Sequence, residues 1–246
     1  MMAITLEGVS KRFVIKHEYP RSFQELAISL LSRRNGHHEE LWALRDVSFH
    51  LERGETFGLI GPNGSGKSTI LKLITRVMEP TAGRIQVSGK VSALIELGAG
   101  FHPDLTGREN IFLLGSILGF TSREMKERYQ SIVAYSDLER FIDAPVKHYS
   151  SGMYMRLGFA VAVCVDPDVL IVDEVLAVGD HSFQEKCLNT FYDFQRMGKT
   201  ILMVSHDLET MSKFCQRALY IDGGQVKALG HVDEVIESYL GSVQVR

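Results

Sequence analysis

Apolar positions recur along this chain in three rhythms. Residues 56–60 (TFGLI), 169–172 (VLIV) and 200–204 (TILMV) are short unbroken apolar runs, the pattern of parallel strands covered on both faces. Residues 3–15 and 43–53 and the stretch GRIQVSGKV predict an antiparallel β edge, and RALYIDGGQVKALG predicts a hairpin turning at Gly223 and Gly224. Between about residues 98 and 165 the helical spacing dominates, in TGRENIFLLGSILGF, TSREMKERYQSIVAYS and YSSGMYMRLGFAVAV. Asp166 and Pro167 are expected to stop the last of these, because a residue before proline is pushed out of the helical region. A short final helix is expected over residues 232–240.

A separate segment, YPRSFQELAISLLSRRNGHHEE, lies between the first strand and LWALRDVSF. Ser22 and Glu25 have capping-box spacing, and Phe23, Leu26, Ala27, Leu30 and Leu31 fall on one helical face. Arg33, Arg34, Asn35 and Gly36 supply a stop. The expected amphipathic helix, about residues 22–34, either packs on its own domain or touches a membrane partner or the headgroup surface.

Composition narrows the class. The 246 residues, 45% apolar and 23% charged, are enough to bury a full core as one large domain or two intimate lobes. A net charge of −3 is too small and too mixed to argue for a nucleic-acid footprint, where a basic face is expected. Cys164, Cys187 and Cys215 are odd in number and widely spaced, which reads as buried thiols in a reducing compartment rather than a disulfide frame or metal site. The start MMAITLEGVSKRF lacks the order of a signal peptide, and runs such as LGFAVAVCV fall short of the roughly 20 residues of a spanning helix. The chain itself is not expected to cross a membrane.

The chemistry concentrates in GETFGLIGPNGSGKSTILKLI. An apolar strand runs into Gly61, Pro62, Asn63, Gly64, Ser65, Gly66, Lys67, Ser68 and Thr69, and helical spacing follows, the context that the phosphate-binding loop G-x-x-x-x-G-K-[ST] requires. Its glycines let backbone N–H groups curl around phosphate oxygens, Lys67 reaches the β- and γ-phosphates, and Ser68 ligates Mg²⁺. A second strand ends in Asp173 and Glu174. Ligands of parallel sheets sit at such carboxyl ends, so Asp173 is placed to hold the Mg²⁺ shell and Glu174 to face the water that attacks the γ-phosphate. The third strand leads to His206, which gains weight only from that company.

The order of GPNGSGKST, YSSGM, VLIVDE, AVGD and SH resembles the ATP-binding subunit of ATP-binding-cassette transporters over essentially the whole chain. The resemblance implies an α/β P-loop NTPase: a RecA-like core with the antiparallel β edge (about 1–97 and 166–246) and a helical subdomain (about 98–165). In that family Leu-Ser-Gly-Gly-Gln is usual where this chain has YSSGM, so Ser150 and Gly152 match while Ser151 and Met153 depart. The implied role of Ser150, Ser151 and Gly152 is to face the γ-phosphate of ATP seated in a second copy, with two nucleotides sandwiched head to tail. The donors of a helix mouth with no acid of its own suit that role; the bland alternative is an ordinary serine N-cap.

The resemblance also assigns Asp180 to a loop crossing the dimer interface and His206 to orienting the attacking water. Phe13 matches the aromatic that stacks on adenine, with Tyr19 and Trp42 close enough in sequence to compete. Where many relatives carry a glutamine that reaches Mg²⁺, this chain has Glu96; a carboxylate can ligate Mg²⁺ as an amide oxygen does and is expected to strengthen its binding in the closed state, while adding charge beside Asp173 and Glu174.

The inserted segment, ELGAGFHPDLTGREN, the signature stretch and VDEVLAVGDHSFQEKC look like the ATPase subunit of bacterial exporters of lipid-linked polysaccharide, O-antigen or teichoic acid. That resemblance implies ATP and Mg²⁺ as ligand and cofactor, a homodimer, a separate integral membrane permease expected in two copies, and a peripheral position on the cytoplasmic face of the inner membrane. Residues 97–104 would form the coupling surface. No C-terminal carbohydrate-binding domain is expected. The alternatives are the cassette of a teichoic acid or capsule exporter, a membrane-tethered regulatory cassette, or a soluble cassette of DNA repair or translation, which usually has paired cassettes or a coiled-coil insertion.

Overall fold

The computed structural model describes residues 1–16, 38–94, 100–173, 180–205 and 207–244. In chain order these residues form β1 (Met2–Lys16), β2 (His38–Glu52), β3 (Thr56–Ile60), α1 (Lys67–Ile74), β4 (Ala82–Val87), β5 (Val91–Leu94), α2 (Gly107–Ile117), α3 (Ser122–Ser136), α4 (Ser151–Cys164), β6 (Val169–Asp173), α5 (His181–Arg196), β7 (Thr200–Val204), α6 (Leu208–Phe214), β8 (Arg217–Asp222), β9 (Gln225–His231) and α7 (Val232–Gln244). The expected helix at 22–34, and Tyr19, lie outside the described residues.

Two sheets form. β1 pairs antiparallel with β2 on one edge and β4 on the other. The second sheet has the order β5-β6-β7-β3-β8-β9, parallel except for the β8–β9 hairpin. The three apolar runs of the sequence become β6, β7 and β3, adjacent central strands; β3 and β7 are buried at every position. This is how unbroken apolar runs are satisfied.

One expectation needs correction. The stretch GRIQVSGKV does not stay at the antiparallel edge: β4 takes its first part, and Val91 opens β5 in the parallel sheet. Gly89 turns the corner at φ +92°, where a Cβ would lie 2.5 Å from the Asp168 carboxylate. That carboxylate accepts the Lys90 amide at 2.8 Å and holds the crossing. The final helix runs to Gln244, past the expected residue 240. Ser242 shares a 2.8 Å hydrogen bond with the Tyr220 hydroxyl, and Tyr239 meets the Tyr220 ring edge-on at 5.3 Å, so tertiary contacts prolong it.

Three apolar clusters fill the molecule. Leu6, Val47 and Leu51 of the antiparallel sheet meet Phe57, Leu59, Ile70 and Leu202 on one face of the parallel sheet. The opposite face is covered by Phe159, Phe183, Phe191 and Phe214, packed on Leu170 and Met203. The third cluster, with Ile111, Met125, Ile132 and Leu157, joins α2, α3 and α4. α4 serves two of them: Leu157, Ala160 and Val161 face the helices, whereas Phe159, Ala162 and Val163 face the sheet. A helix apolar around its circumference is a buried one.

α2 and α3 each open on a complete capping box, Thr106 with Glu109 and Thr121 with Glu124. Glu124 also pairs with Lys90, whose ammonium lies 4.2 Å from the Phe120 ring centroid. Lys90 first, then the Thr121 bonds, pulls the Glu124 carboxyl down to about 2. This one lysine therefore bolts the start of β5 to the start of α3.

Among the cysteines, Cys187 and Cys215 are buried thiols as expected, whereas Cys164 is only half-buried. Its Sγ points at the Ser131 carbonyl near the end of α3, 3.9 Å away. Burial raises all three thiols, Cys164 to about 11 and the others to about 12, which keeps them protonated and unreactive at neutral pH. Among the described residues no helix is long and apolar enough to cross a membrane.

Phe159 is fully buried with Tyr135, Phe183 and Phe191 about its ring. Phe159→Ala should lower the unfolding free energy by about 3–5 kcal/mol in urea titration. Because the folded Glu124 carboxyl sits below its ordinary 4.5, its stabilisation is complete above that value and fades as pH falls through about 2. Glu124→Gln should therefore be less stable than the parent at neutral pH, and the gap should close as unfolding is followed down toward that pH.

Candidate functional site

The loop from residue 61 to 66 connects the buried β3 to α1, and its shape is enforced by neighbours. A Cβ on Gly61 would lie 2.2 Å from the Ile221 carbonyl of β8. Gly66 has φ +112°, and a Cβ there would meet Leu44 Cδ2 at 2.7 Å and the Ala43 carbonyl at 2.8 Å. Only glycine allows such approaches. The turn of the β8–β9 hairpin closes the clamp: the Gly224 amide donates to the Ser65 carbonyl at 3.0 Å, and the Arg45 amide donates to the Gly224 carbonyl at 2.8 Å.

Inside this clamp Lys67 is buried, its ammonium donating to the Gly61 and Pro62 carbonyls at 2.7 and 3.0 Å. The positive charge thus sits in the curl of the loop. α1 starts with no acidic residue in its first turn and no side-chain cap from Gly66. Ser65 Oγ is buried and has no hydrogen-bond partner among the described residues. Helix-start amides, an enclosed ammonium and an orphaned hydroxyl form a donor set that fits a phosphate chain.

Ser68 is exposed one residue into α1, and Asp173 is half-buried at the end of β6, level with Val204 of β7. Among the described residues no group of three or more histidines, cysteines or acids could hold a metal alone. A hydroxyl, one carboxylate and phosphate oxygens suit Mg²⁺, which keeps most of its shell from water and substrate. Glu174, His206 and Glu96, named from the sequence for the base, the switch and the metal, lie outside the described residues.

At the signature stretch, Ser150 caps α4, its Oγ accepting the Met153 amide at 3.2 Å. In the chain by itself the bland expectation, a serine N-cap, is what the geometry contains. The first turn of α4 has no acid, Ser150 and Ser151 are exposed, and Gly152 is half-buried. Asp180 caps α5, accepting the Phe183 amide at 3.0 Å, and also pairs with Arg156 of α4. Of the adenine candidates, Phe13 is exposed with the Lys11 ammonium 5.4 Å from its ring centroid, whereas the Trp42 ring is flanked by the Arg12 and Arg45 guanidinium groups.

Two polar residues near these stretches escaped the sequence reading. Arg156 lies within the signature helix, and Asn110 is fully buried, binding His102, Leu105 and Thr106 through four hydrogen bonds that shape the loop before α2. The Thr-x-x-Glu capping pattern at Thr106 marks where that loop must end and was the available signal for it.

The sequence matches the ABC transporter family over residues 44–177, more than half of the chain. The chain belongs to the ABC transporter family. It is similar to the O-antigen export system ATP-binding protein RfbB of Myxococcus xanthus, 49% identical over all of this chain and 57% of that one. The RfbB protein of Klebsiella pneumoniae is 43% identical over 96% of each chain. The chain thus spans little more than half of the first relative and nearly all of the second. Among solved structures, a dimeric post-hydrolysis ATP-binding cassette bound to ADP and Pi shares the fold, with a TM-score of 0.71, 22% identity and coverage of 93% of this chain and 98% of that one. The ABC cassette described here is an α/β P-loop NTPase, an ATPase with ATP as substrate and Mg²⁺ as cofactor.

Gly66→Ala should abolish binding of fluorescent ATP, since both the positive φ and the clash with Ala43 and Leu44 oppose it. Gly64→Ala is the control: φ is +77° but nothing lies within 4 Å of the added methyl, so only backbone strain of about 1–2 kcal/mol is at stake. It should retain measurable binding.

Proposed function

We propose that this cassette is the ATP-hydrolysing subunit of a bacterial exporter of lipid-linked polysaccharide of the O-antigen type. It works as a homodimer that closes on two ATP and drives a separate integral membrane permease, itself present in two copies. The cassette is peripheral, on the cytoplasmic face of the inner membrane. The observation that carries the ATPase part is the clamped loop around Lys67; the cargo follows the end-to-end likeness to the Klebsiella export protein.

The residue roles form one scheme. Gly61, Pro62, Asn63, Gly64, Ser65, Gly66, Lys67, Ser68 and Thr69 hold the phosphates, and Phe13 stacks on adenine. Ser68, Asp173 and Glu96 hold Mg²⁺, which when bound neutralises charge developing on the β- and γ-phosphate oxygens. Glu174 takes the proton of the attacking water and His206 orients that water. Ser150, Ser151 and Gly152 receive the γ-phosphate of ATP seated in the partner copy, and Asp180 lies on the loop that crosses the interface. A core of about residues 1–97 and 166–246 and a helical part of about 98–165 would move as the lobes of this single domain.

Removing the base should trap the closed state. Glu174→Gln is expected to be monomeric without nucleotide and dimeric with ATP by light scattering, with turnover lower by about 10²–10⁴. Loss of surface O-antigen on deleting the gene, restored by the parent but not by Glu174→Gln, tests the cargo; a normal O-antigen ladder in the deletion strain overturns it.

A further inference from the structure

The α4 mouth can act only if it is aimed, and α4 has unusually little polar chemistry with which to aim it. Between Leu157 and Val163 its side chains are apolar and buried. Such contacts hold the helix in the core but resist rotation or sliding weakly, since apolar burial is non-directional. Arg156, at the start of that run, carries a charge to a neighbouring helix. Its guanidinium pairs with the Asp180 carboxylate while lying 5.3 Å from the Phe183 ring centroid, and its side chain is only 23% exposed. One planar group is therefore fixed twice, by direction through the carboxylate and by plane over the ring.

The anchor is itself rigid. Asp180 is the N-cap of α5, with its second oxygen accepting the Phe183 amide at 3.0 Å. Phe183 packs edge-on against both Phe159 and Tyr135. α5 lies over the parallel sheet through Phe191 and Phe194 in the same cluster as Leu170 and Val172, the strand that ends in Asp173. Farther along, Tyr135 shares a 2.6 Å hydrogen bond with Thr190, and Lys186 donates to the Tyr135 carbonyl at 2.7 Å and pairs with Asp137 at 3.2 Å. α5 is thus a beam joined to the sheet on one side and to α3 and α4 on the other. Arg156 is the joint nearest Ser150.

We propose that Arg156 is a positioning residue for ATP hydrolysis: through Asp180 and Phe183 it fixes the orientation of the Ser150 helix mouth relative to the nucleotide core. This inference rests on the reading above, in which that mouth receives a phosphate held by a second copy. The contacts of Arg156 are with Asp180 and Phe183 of α5 rather than with the loop around Lys67, so its effect falls on the closed state and leaves seating of ATP in that loop alone.

The test compares Arg156→Met, Arg156→Lys and Ser150→Arg in the full chain, each also in the Glu174→Gln background. Three quantities are measured: affinity for fluorescent ATP, ATP-driven dimerisation by light scattering, and kcat with KM. Arg156→Met should bind ATP with unchanged affinity and keep its KM, while kcat falls on the order of tenfold to a hundredfold, the scale of a misplacement of about 1 Å, and the ATP concentration needed for dimerisation rises. Arg156→Lys, which keeps the charge but not the planar fork, should fall between. A merely structural role would lower the melting temperature without splitting kcat from KM. If Arg156→Met dimerises and turns over like the parent while Ser150→Arg does neither, the positioning role is wrong and the reading of the helix mouth stands. If Ser150→Arg still dimerises and hydrolyses ATP normally, the mouth has no such role and the proposal falls with it.

Discussion

The close approach of three backbone segments around the phosphate loop is the constraint on which the rest depends. Gly61 abuts the Ile221 carbonyl, Gly66 abuts Ala43, and Gly224 is bonded to Ser65 on one side and to Arg45 on the other. These contacts bring β2, the start of α1 and the β8–β9 turn to within atomic contact at one point. A side chain at any of the three glycines would force them apart. The antiparallel sheet therefore shapes the loop: β2 sets Ala43 and Leu44 against Gly66, and the apolar cluster beneath, from Leu6 to Phe57, supports them.

A loop held in this way can enclose a cation within its own curl. The Lys67 ammonium is sheathed by two carbonyls of its own loop, so its charge is already oriented and partly desolvated before a phosphate arrives. Preorganised donors lose less on binding than donors that must be ordered first. The same economy of polar groups holds at α4, whose buried length is almost entirely apolar and whose Arg156 pairs with Asp180 at the start of the neighbouring helix α5.

The helical part is joined to the sheet through α4, whose Phe159, Ala162 and Val163 pack with Leu170 and Met203, and at its margins through polar pairs. Lys90 to Glu124 is one, Lys186 to Asp137 another, and α4 runs between clusters that share it face by face. Between the Lys90 joint and α2 a cavity of about 660 Å³ is lined by Val77, Val91, Leu114 and Ile117 among others.

The fold class and family of this protein were legible in the sequence because the motifs that carry them depend on local spacing. The glycines of residues 61–66, the lysine and serine behind them, and the apolar strands that end in Asp173 and near His206 all act through backbone conformation within a few residues, so order along the chain was enough to name the loop and the family. The continuous apolar runs likewise marked β3, β6 and β7 as central strands, since burial on both faces leaves no alternation. What only the tertiary structure decided are contacts between residues far apart in the chain. Val91 belongs to the parallel sheet because Asp168 caps the turn at Gly89, and α7 reaches Gln244 because Tyr220 holds Ser242. Arg156 aims a helix because Asp180 lies across from it. Each is a single polar contact closed over dozens of residues or between separate elements, with no periodicity to announce it, whereas an apolar face repeats and a phosphate loop is contiguous.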